Sequence, residues 1–363
     1  MQKKNNLIYL SIFFIAIAFM AFFVFLNMRS YIDALQKSAT YNPVAENMTA
    51  KASKILENDM EELAAQEETE ETKTDAKTDE NETDLSSQLP DYVPIARSSD
   101  ELAIGFITDL HVFNGSSTNT LAGPFTNRIY HFVKKMNNEI VPDFILINGD
   151  VIEGTKIPAN TGLKQLQLVK NIFNLSKIQK YWVLGNHDLR SVTKQQWQNA
   201  LGINYLRKSF ELRNYKIIIL DSNFTSKDKN VTNGNGYTRG HVSSEELRWL
   251  EKELKNTKKK TIIFIHHTPL LDVGFESKFN FLDNADELRK IFAKHDVLAV
   301  FSGHIENLYY EKDDGVQYFS LPGVYKNPKY PGAFGIINVK EGRVDVNLNY
   351  LTNGKYTTIN VKK

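Results

Sequence analysis

The chain has 363 residues, a formal net charge of +1 and 24% charged side chains, so no global electrostatic field marks it as a nucleic-acid binder. Cysteine is absent, which excludes disulfides, thiolate metal sites and a cysteine nucleophile. A metal site here must use His, Asp, Glu and Asn, a donor set suited to Mn, Fe, Zn, Mg or Ca. Residues 7–26, LIYLSIFFIAIAFMAFFVFL, carry no charge. At about 1.5 Å per residue such a run spans a bilayer core. A cleaved leader would have an apolar region of roughly 7–15 residues and then a small-x-small site; here NMRSYI follows. Residues 1–27 therefore read as an uncleaved transmembrane anchor. Lys3 and Lys4 precede the run, and Arg29 and Lys37 follow it more sparsely. That bias predicts a single-pass membrane protein with its C-terminal part outside the cytoplasm.

Residues 28–98 read as an acidic linker. Its centre, EELAAQEETEETKTDAKTDENETD, has too few large apolar residues to offset the entropy of ordering. Within it, residues 46–66 have the composition of a short helix, with apolar spacing too broken for a coiled coil. From 99 to 363 the pattern becomes globular. Strands are predicted over 102–109, 143–150, 180–188, 215–222, 260–267 and 297–304. Helices are predicted between them over 126–140, 162–178, 243–256 (Ser243 as N-cap) and 284–294. This alternation predicts an α/β fold with a mainly parallel sheet. Beyond residue 308 shorter alternating runs predict antiparallel strands.

Strand after strand ends in Asp, Asn or His: Asp109 and His111, Asp150, Asn186 with His187 and Asp188, His266 with His267, and His304 followed by Glu306. Each alone could cap a helix or sit satisfied in packing. Together, at the carboxyl ends of parallel strands, they converge on one rim. Hard oxygens and imidazoles without sulfur suit two cations. A shared Asp can bridge two ions roughly 3.5–4 Å apart, with an acidified water between them as nucleophile, so no serine or cysteine is needed.

The ordered blocks Asp109-Leu-His111, Gly149-Asp150, Gly185-Asn186-His187-Asp188, His266-His267-Thr268-Pro269 and Gly303-His304-Ile305-Glu306 resemble the calcineurin-like metallophosphoesterases over about residues 100–350. That resemblance implies two mixed β-sheets packed as a sandwich and flanked by helices. It also implies that Asp109 and His111 hold a first metal, Asp150 bridges, and Asn186, His266 and His304 hold a second. His187 would sit near the phosphoryl group, stabilising charge or protonating the leaving oxygen, oriented by Asp188. His266 rather than its neighbour His267 aligns with the ligand. One position departs from the pattern. Where the family shows a second His in its last block, this chain has Glu306. Either Glu306 ligates the first metal and favours a harder ion, or it points away; ligation is the preferred reading.

Arg190, just after the third block, is a candidate phosphate contact and equally a surface salt bridge. Tyr237, Arg239, His241 and the stretches 225–238 and 323–332 are candidates for the rim. The function implied is that of a membrane-anchored phosphoesterase with two divalent ions (Mn, Fe or Zn, Mn favoured). It would act on phosphodiester or pyrophosphate bonds of a small molecule or envelope component through a metal-bridging hydroxide. The alternative is a catalytically impaired, membrane-tethered scaffold on the same fold, a reading that Glu306 alone supports. A nuclease would need a basic groove, and Lys258–Lys260 sit at a helix end instead.

Overall fold

The computed structural model describes residues 93–113, 123–231, 239–270, 281–325, 327–352 and 354–362, with backbone alone over 123–127. The expected anchor at 1–27, the linker as far as residue 92, the 46–66 helix and Tyr237 lie outside the described residues. Among the described residues no helix is long and apolar enough to cross a membrane.

Twelve strands stand among the described residues, and runs rich in Ile, Val and Phe, which pack well on pleated surfaces, form the central ones. One sheet holds β1 (Glu101–Ile107), β2 (Phe144–Asn148) and β3 (Lys180–Val183) in parallel. It continues antiparallel from β1 into β10 (Phe334–Lys340), β11 (Arg343–Thr352) and β12 (Lys355–Asn360). The other sheet has β5 (Tyr215–Leu220), β6 (Lys260–Ile265), β7 (Val297–Ser302) and β9 (Val316–Ser320) in parallel. Its antiparallel edges are β4 (Lys208–Leu212) and β8 (Tyr309–Asp313). The parallel strands are thus divided between two mixed sheets rather than gathered in one.

The two-residue period of a strand sorts side chains to opposite faces. Leu102, Ile104 and Phe106 of β1 meet Ile217, Ile219, Phe264 and Phe301 of the second sheet in a buried middle layer. Ile107, Ile145 and Ile147 face outward and are covered by α1 (Gly123–Lys135) and α2 (Ala159–Asn174) through Phe132 and Phe173. Ile218, Leu220, Ile263 and Ile265 are covered by α4 (Ser244–Lys255) and α5 (Ala285–Ala293) through Leu250 and Phe292. Each such fully buried side chain contributes roughly 1.5–3 kcal/mol before ordering costs.

Local signals account for the helix bounds. Ser243 Oγ accepts from Glu246 N at 3.2 Å, Glu245 and Glu246 fill the first turn of α4, and Lys252 and Lys255 its last. The helix α3 (Lys194–Leu201) starts at a Thr193–Gln196 capping box and ends at Gly202, φ 68°. The expected helix over 126–140 is α1 followed by a wider π-type turn, Met136–Ile140, which stops at left-handed Val141. At the sheet's other end Arg97 donates to Val141 O at 3.0 Å and pairs with Asp143 at 3.6 Å, fixing the chain just ahead of β1.

Candidate active site

The strands stop short of the predicted polar ends. β1 ends at Ile107, two residues before Asp109, and β3 at Val183, three before Asn186. In the loops between, Asp109 (φ 50°), His111 (φ 43°), Asp150 (φ 50°), His304 (φ 68°) and Glu306 (φ 47°) all take left-handed backbone. Such conformations are strained for non-glycine residues and persist only where surroundings enforce them. They turn five polar side chains toward one point at the carboxyl ends of β1, β2, β6 and β7.

The surroundings that enforce them cross between the sheets. Asn148, at the end of β2, donates its Nδ2 to Ile265 O at 3.1 Å. Its carbonyl accepts from His266 Nδ1 at 2.8 Å. The Asp109 carboxylate accepts from His304 N at 3.1 Å and from Thr108 Oγ1 at 2.5 Å. Two glycines permit the close approach. A Cβ on Gly185 would collide with Asp150 N and Oδ1, and one on Gly303 with Thr108 Oγ1 and Asp109 Oδ2. The need at these two positions is room rather than an unusual turn; of the three glycines preceding Asp150, Asn186 and His304, only Gly149 has positive φ, at 90°.

Asp150 is the common corner. Its Oδ2 lies 3.2 Å from His266 Nε2, 3.6 Å from His111 Nε2 and 4.0 Å from His187 Nε2. His266 Nε2 also lies 3.2 Å from Asn186 Oδ1. His111 Nε2 faces Asp109 Oδ1 at 3.8 Å and Glu306 Oε1 at 3.3 Å. Three groups of ligand atoms draw together on this corner: Asp109, His111 and Glu306; His111, Asp150 and His187; and Asp150, His266 and His304.

These atoms fit metal ions. His111 Nε2 is buried and makes no well-aligned hydrogen bond, although three carboxylates surround it. Donors sharing one ion at about 2.1 Å stand about 3–3.6 Å apart; the pairs His266–Asp150, His266–Asn186, His111–Glu306 and His111–Asp150 lie at 3.2–3.6 Å, and His111–Asp109 is slightly wider at 3.8 Å. The far nitrogens of two imidazoles are already committed, His266 Nδ1 to Asn148 O and His111 Nδ1 to Glu153 at 2.9 Å. Their Nε2 atoms are therefore left to face inward, as metal-binding imidazoles require.

Charge is concentrated to match. Although burial opposes ionisation, His266 and His187 hold the Asp150 carboxyl well below its usual range. Burial would lower His266, yet Asp150 pushes it up to about 9. Burial and the neighbouring His266 push His304 down to about 3. Burial, with His304 and His266, holds His267 well below the usual imidazole range. His267 turns away from the corner, its Nδ1 lying 2.8 Å from Ser222 Oγ. The structure thus turns His266, and not His267, toward the corner.

One residue sits differently from expectation. Asp188 does not face His187: its oxygens accept from Ile152 N and Gly185 N, each at 3.1 Å, and burial with Asp150 nearby pushes it up to about 7. It braces the loop. The carboxylate on His187 is Glu153, whose Oε2 lies 3.0 Å from Nδ1. Sequence reasoning passed over Glu153, and the available signal was a carboxylate three residues beyond Asp150 in GDVIE. Arg190 backs Glu153, its Nη1 donating to Oε1 at 3.1 Å and to Thr155 Oγ1 at 2.6 Å. That is the salt-bridge alternative left open for it. Of the rim candidates, His241 lies between Asp283 at 2.5 Å and Asp228 at 3.1 Å, latching two loops, and Arg239 is exposed. Tyr325, in the 323–332 stretch, packs 5.2 Å from the His111 ring.

The comparisons with known proteins agree. The chain is 29% identical over 226 residues to a 3',5'-cyclic-nucleotide phosphodiesterase of Nostoc sp., covering 61% of this chain and 77% of that protein. It is 21% identical over 259 residues to a manganese-dependent ADP-ribose/CDP-alcohol diphosphatase of Homo sapiens, covering 57% and 76%. Its fold is similar to that of a dimetal phosphatase from Danio rerio, with TM-score 0.57 and 15% identity over 71% of this chain and 98% of that one. The family model for calcineurin-like phosphoesterases matches residues 102–306, the span from β1 to Glu306. The chain belongs to the calcineurin-like phosphoesterase family.

Proposed function

We propose that this protein hydrolyses phosphodiester or pyrophosphate bonds in small molecules, using two divalent ions. Asp109, His111, Asp150 and Glu306 would hold the first ion, and Asp150, Asn186, His266 and His304 the second. The observation that carries this reading is Asp150 Oδ2, which lies within 3.2–4.0 Å of three imidazoles from three different loops. When bound, the ions supply the acidified water that attacks phosphorus and neutralise the nonbridging oxygens. The chain's own residues do the rest. His187, on the rim and side-on to His111 at 4.3 Å between rings, presents Nε2 to the leaving oxygen for protonation. Glu153 accepts from Nδ1–H of His187, so the proton given to the leaving oxygen is a second one, carried on Nε2. Mn²⁺ is the favoured ion, on the hard oxygen of Glu306 and on the manganese dependence named for the human relative.

The preference for diesters and pyrophosphates over monoesters draws on the two relatives, one a phosphodiesterase and one a diphosphatase. Residues 7–26 would anchor the enzyme in a membrane with this domain outside the cytoplasm, facing envelope or nucleotide phosphoesters; a C-terminal reporter fusion reads that orientation. The chemical reading is tested with bis(p-nitrophenyl) phosphate and Mn²⁺. Turnover by the wild type, abolished in Asp150→Asn, is expected. Absence of turnover with any metal leaves the scaffold alternative in its place.

A further inference from the structure

Glu306 occupies a built position. Its left-handed backbone (φ 47°) is clamped by Asn327, whose Nδ2 donates to Glu306 O at 2.5 Å. Asn327 is itself buried, and its Oδ1 accepts from Lys329 N at 2.9 Å and Tyr330 N at 2.7 Å. The clamp aims the carboxylate at His111 Nε2, 3.3 Å away, beside Asp109. One metal position is therefore lined by three carboxylates (Asp109, Asp150 and Glu306) and one imidazole. The other is lined by one carboxylate (Asp150), two imidazoles and the Asn186 amide oxygen.

We infer that the two metal positions are unequal, and that Glu306 makes the one beside Asp109 and His111 the tighter and harder of the two, filled first. This rests on the two-metal reading above. Coulomb attraction for a cation grows with each added ligand charge, so the three-carboxylate position outcompetes its neighbour for the first ion. Oxygen donors also narrow the usual advantage of Zn²⁺ over Mn²⁺, an advantage that imidazoles preserve. The first position is thus the more tolerant of Mn²⁺. An imidazole at 306 would leave two carboxylates against one and shrink the difference.

The test is calorimetric titration of Mn²⁺ into metal-stripped, detergent-solubilised full-length protein, with electron paramagnetic resonance at each step. Two steps are expected, and at one equivalent the spectrum is that of an isolated ion. Glu306→Gln, which keeps the side chain's shape and removes its charge, weakens the first step about tenfold and leaves the second little changed. Glu306→His restores a ligand without the charge and raises the first step's Zn²⁺-to-Mn²⁺ affinity ratio. Circular dichroism matching the wild type assigns any lost step to binding. The inference is overturned if Glu306→Gln leaves the first step intact or weakens only the second, or if one equivalent already gives coupled-pair spectra. Failure of the wild type to take up any Mn²⁺ would instead overturn the two-metal reading.

Discussion

Glu153 holds His187 by a single oxygen: Oε2 stands 3.0 Å from Nδ1 of that ring. The same oxygen lies 2.9 Å from Nδ1 of His111. A carboxylate can only accept, and His111 and His187, against the cost of burial, hold this one well below its usual range. Both rings therefore carry a proton on Nδ1, which leaves Nε2 of His111 bare toward the corner, while His187 needs a second proton on Nε2 to act as the proposed acid. Glu153→Gln puts an amide where two N–H groups converge. It is expected to lower kcat and Mn²⁺ affinity together, each by about 10–100-fold. Steady-state kinetics and metal analysis check this; a variant with wild-type values of both would show the shared oxygen to be idle.

Gly185→Ala places a methyl group against Asp150 N and Oδ1. The contact is with backbone, so no rotamer change relieves it. A loss of about 1–3 kcal/mol is expected, as for other overpacked sites, together with loss of metal binding because Asp150 must move. Thermal unfolding with and without Mn²⁺ measures both effects. A variant that unfolds at the wild-type temperature and binds metal normally contradicts the packing described.

Glu246, which is none of the proposed ligands, links stability to pH. It is buried beside Arg207 Nη1 at 2.9 Å, and burial, with Asp221 nearby, raises it from 4.5 to about 7. The folded chain then binds a proton that the unfolded chain releases between those values, so this group's contribution to stability falls as pH rises from about 4.5 to 7. Glu246→Gln retains the acceptor for Arg207 and removes that slope. Its midpoint temperature relative to wild type should be higher at pH 8 than at pH 4.5. An offset that stays constant with pH would contradict the assignment.

Chelation should destabilise the folded chain. The proposed ligands come from both sheets, so ions at about 100 times their Kd would each contribute about 2.7 kcal/mol. Dialysis against a chelator is expected to lower the unfolding temperature, and Mn²⁺ to restore it. Unfolding that is insensitive to both would argue against ions spanning the sheets.

The parts of the site legible in the sequence were those where an apolar run breaks abruptly into a polar residue. Asp109, Asp150, His266 and His304 all stand at such breaks, because a buried strand end leaves few polar positions. Glu153 stands at no break: it sits in a turn, and only the Nδ1 of a folded histidine gives it meaning. Asp188 misled by adjacency, since the 3₁₀ turn Asp188–Arg190 rotates its carboxylate toward backbone nitrogens. The helix α3 escaped notice because KQQWQNAL buries only Trp197 and Leu201. The edge strand β4 escaped because KSFEL is nowhere fully buried. The division into two sheets depends on long-range pairing. β9 joins β7 in parallel and turns its next-door neighbour β8 out to the edge, an arrangement that no local pattern encodes.

The bonds of Asn148 to Ile265 O and from His266 Nδ1 have an implication for assembly. They lie on the seam where the two halves of the sandwich meet. In the arrangement proposed, Asp109, His111, Asp150 and Asn186 belong to the first half, and His266, His304 and Glu306 to the second. Neither half carries a full ligand set for either ion. In that arrangement a complete ligand set exists only once both sheets have formed and met. Metal uptake would then report that the two halves have met, and a copy whose halves are apart would lack a complete site.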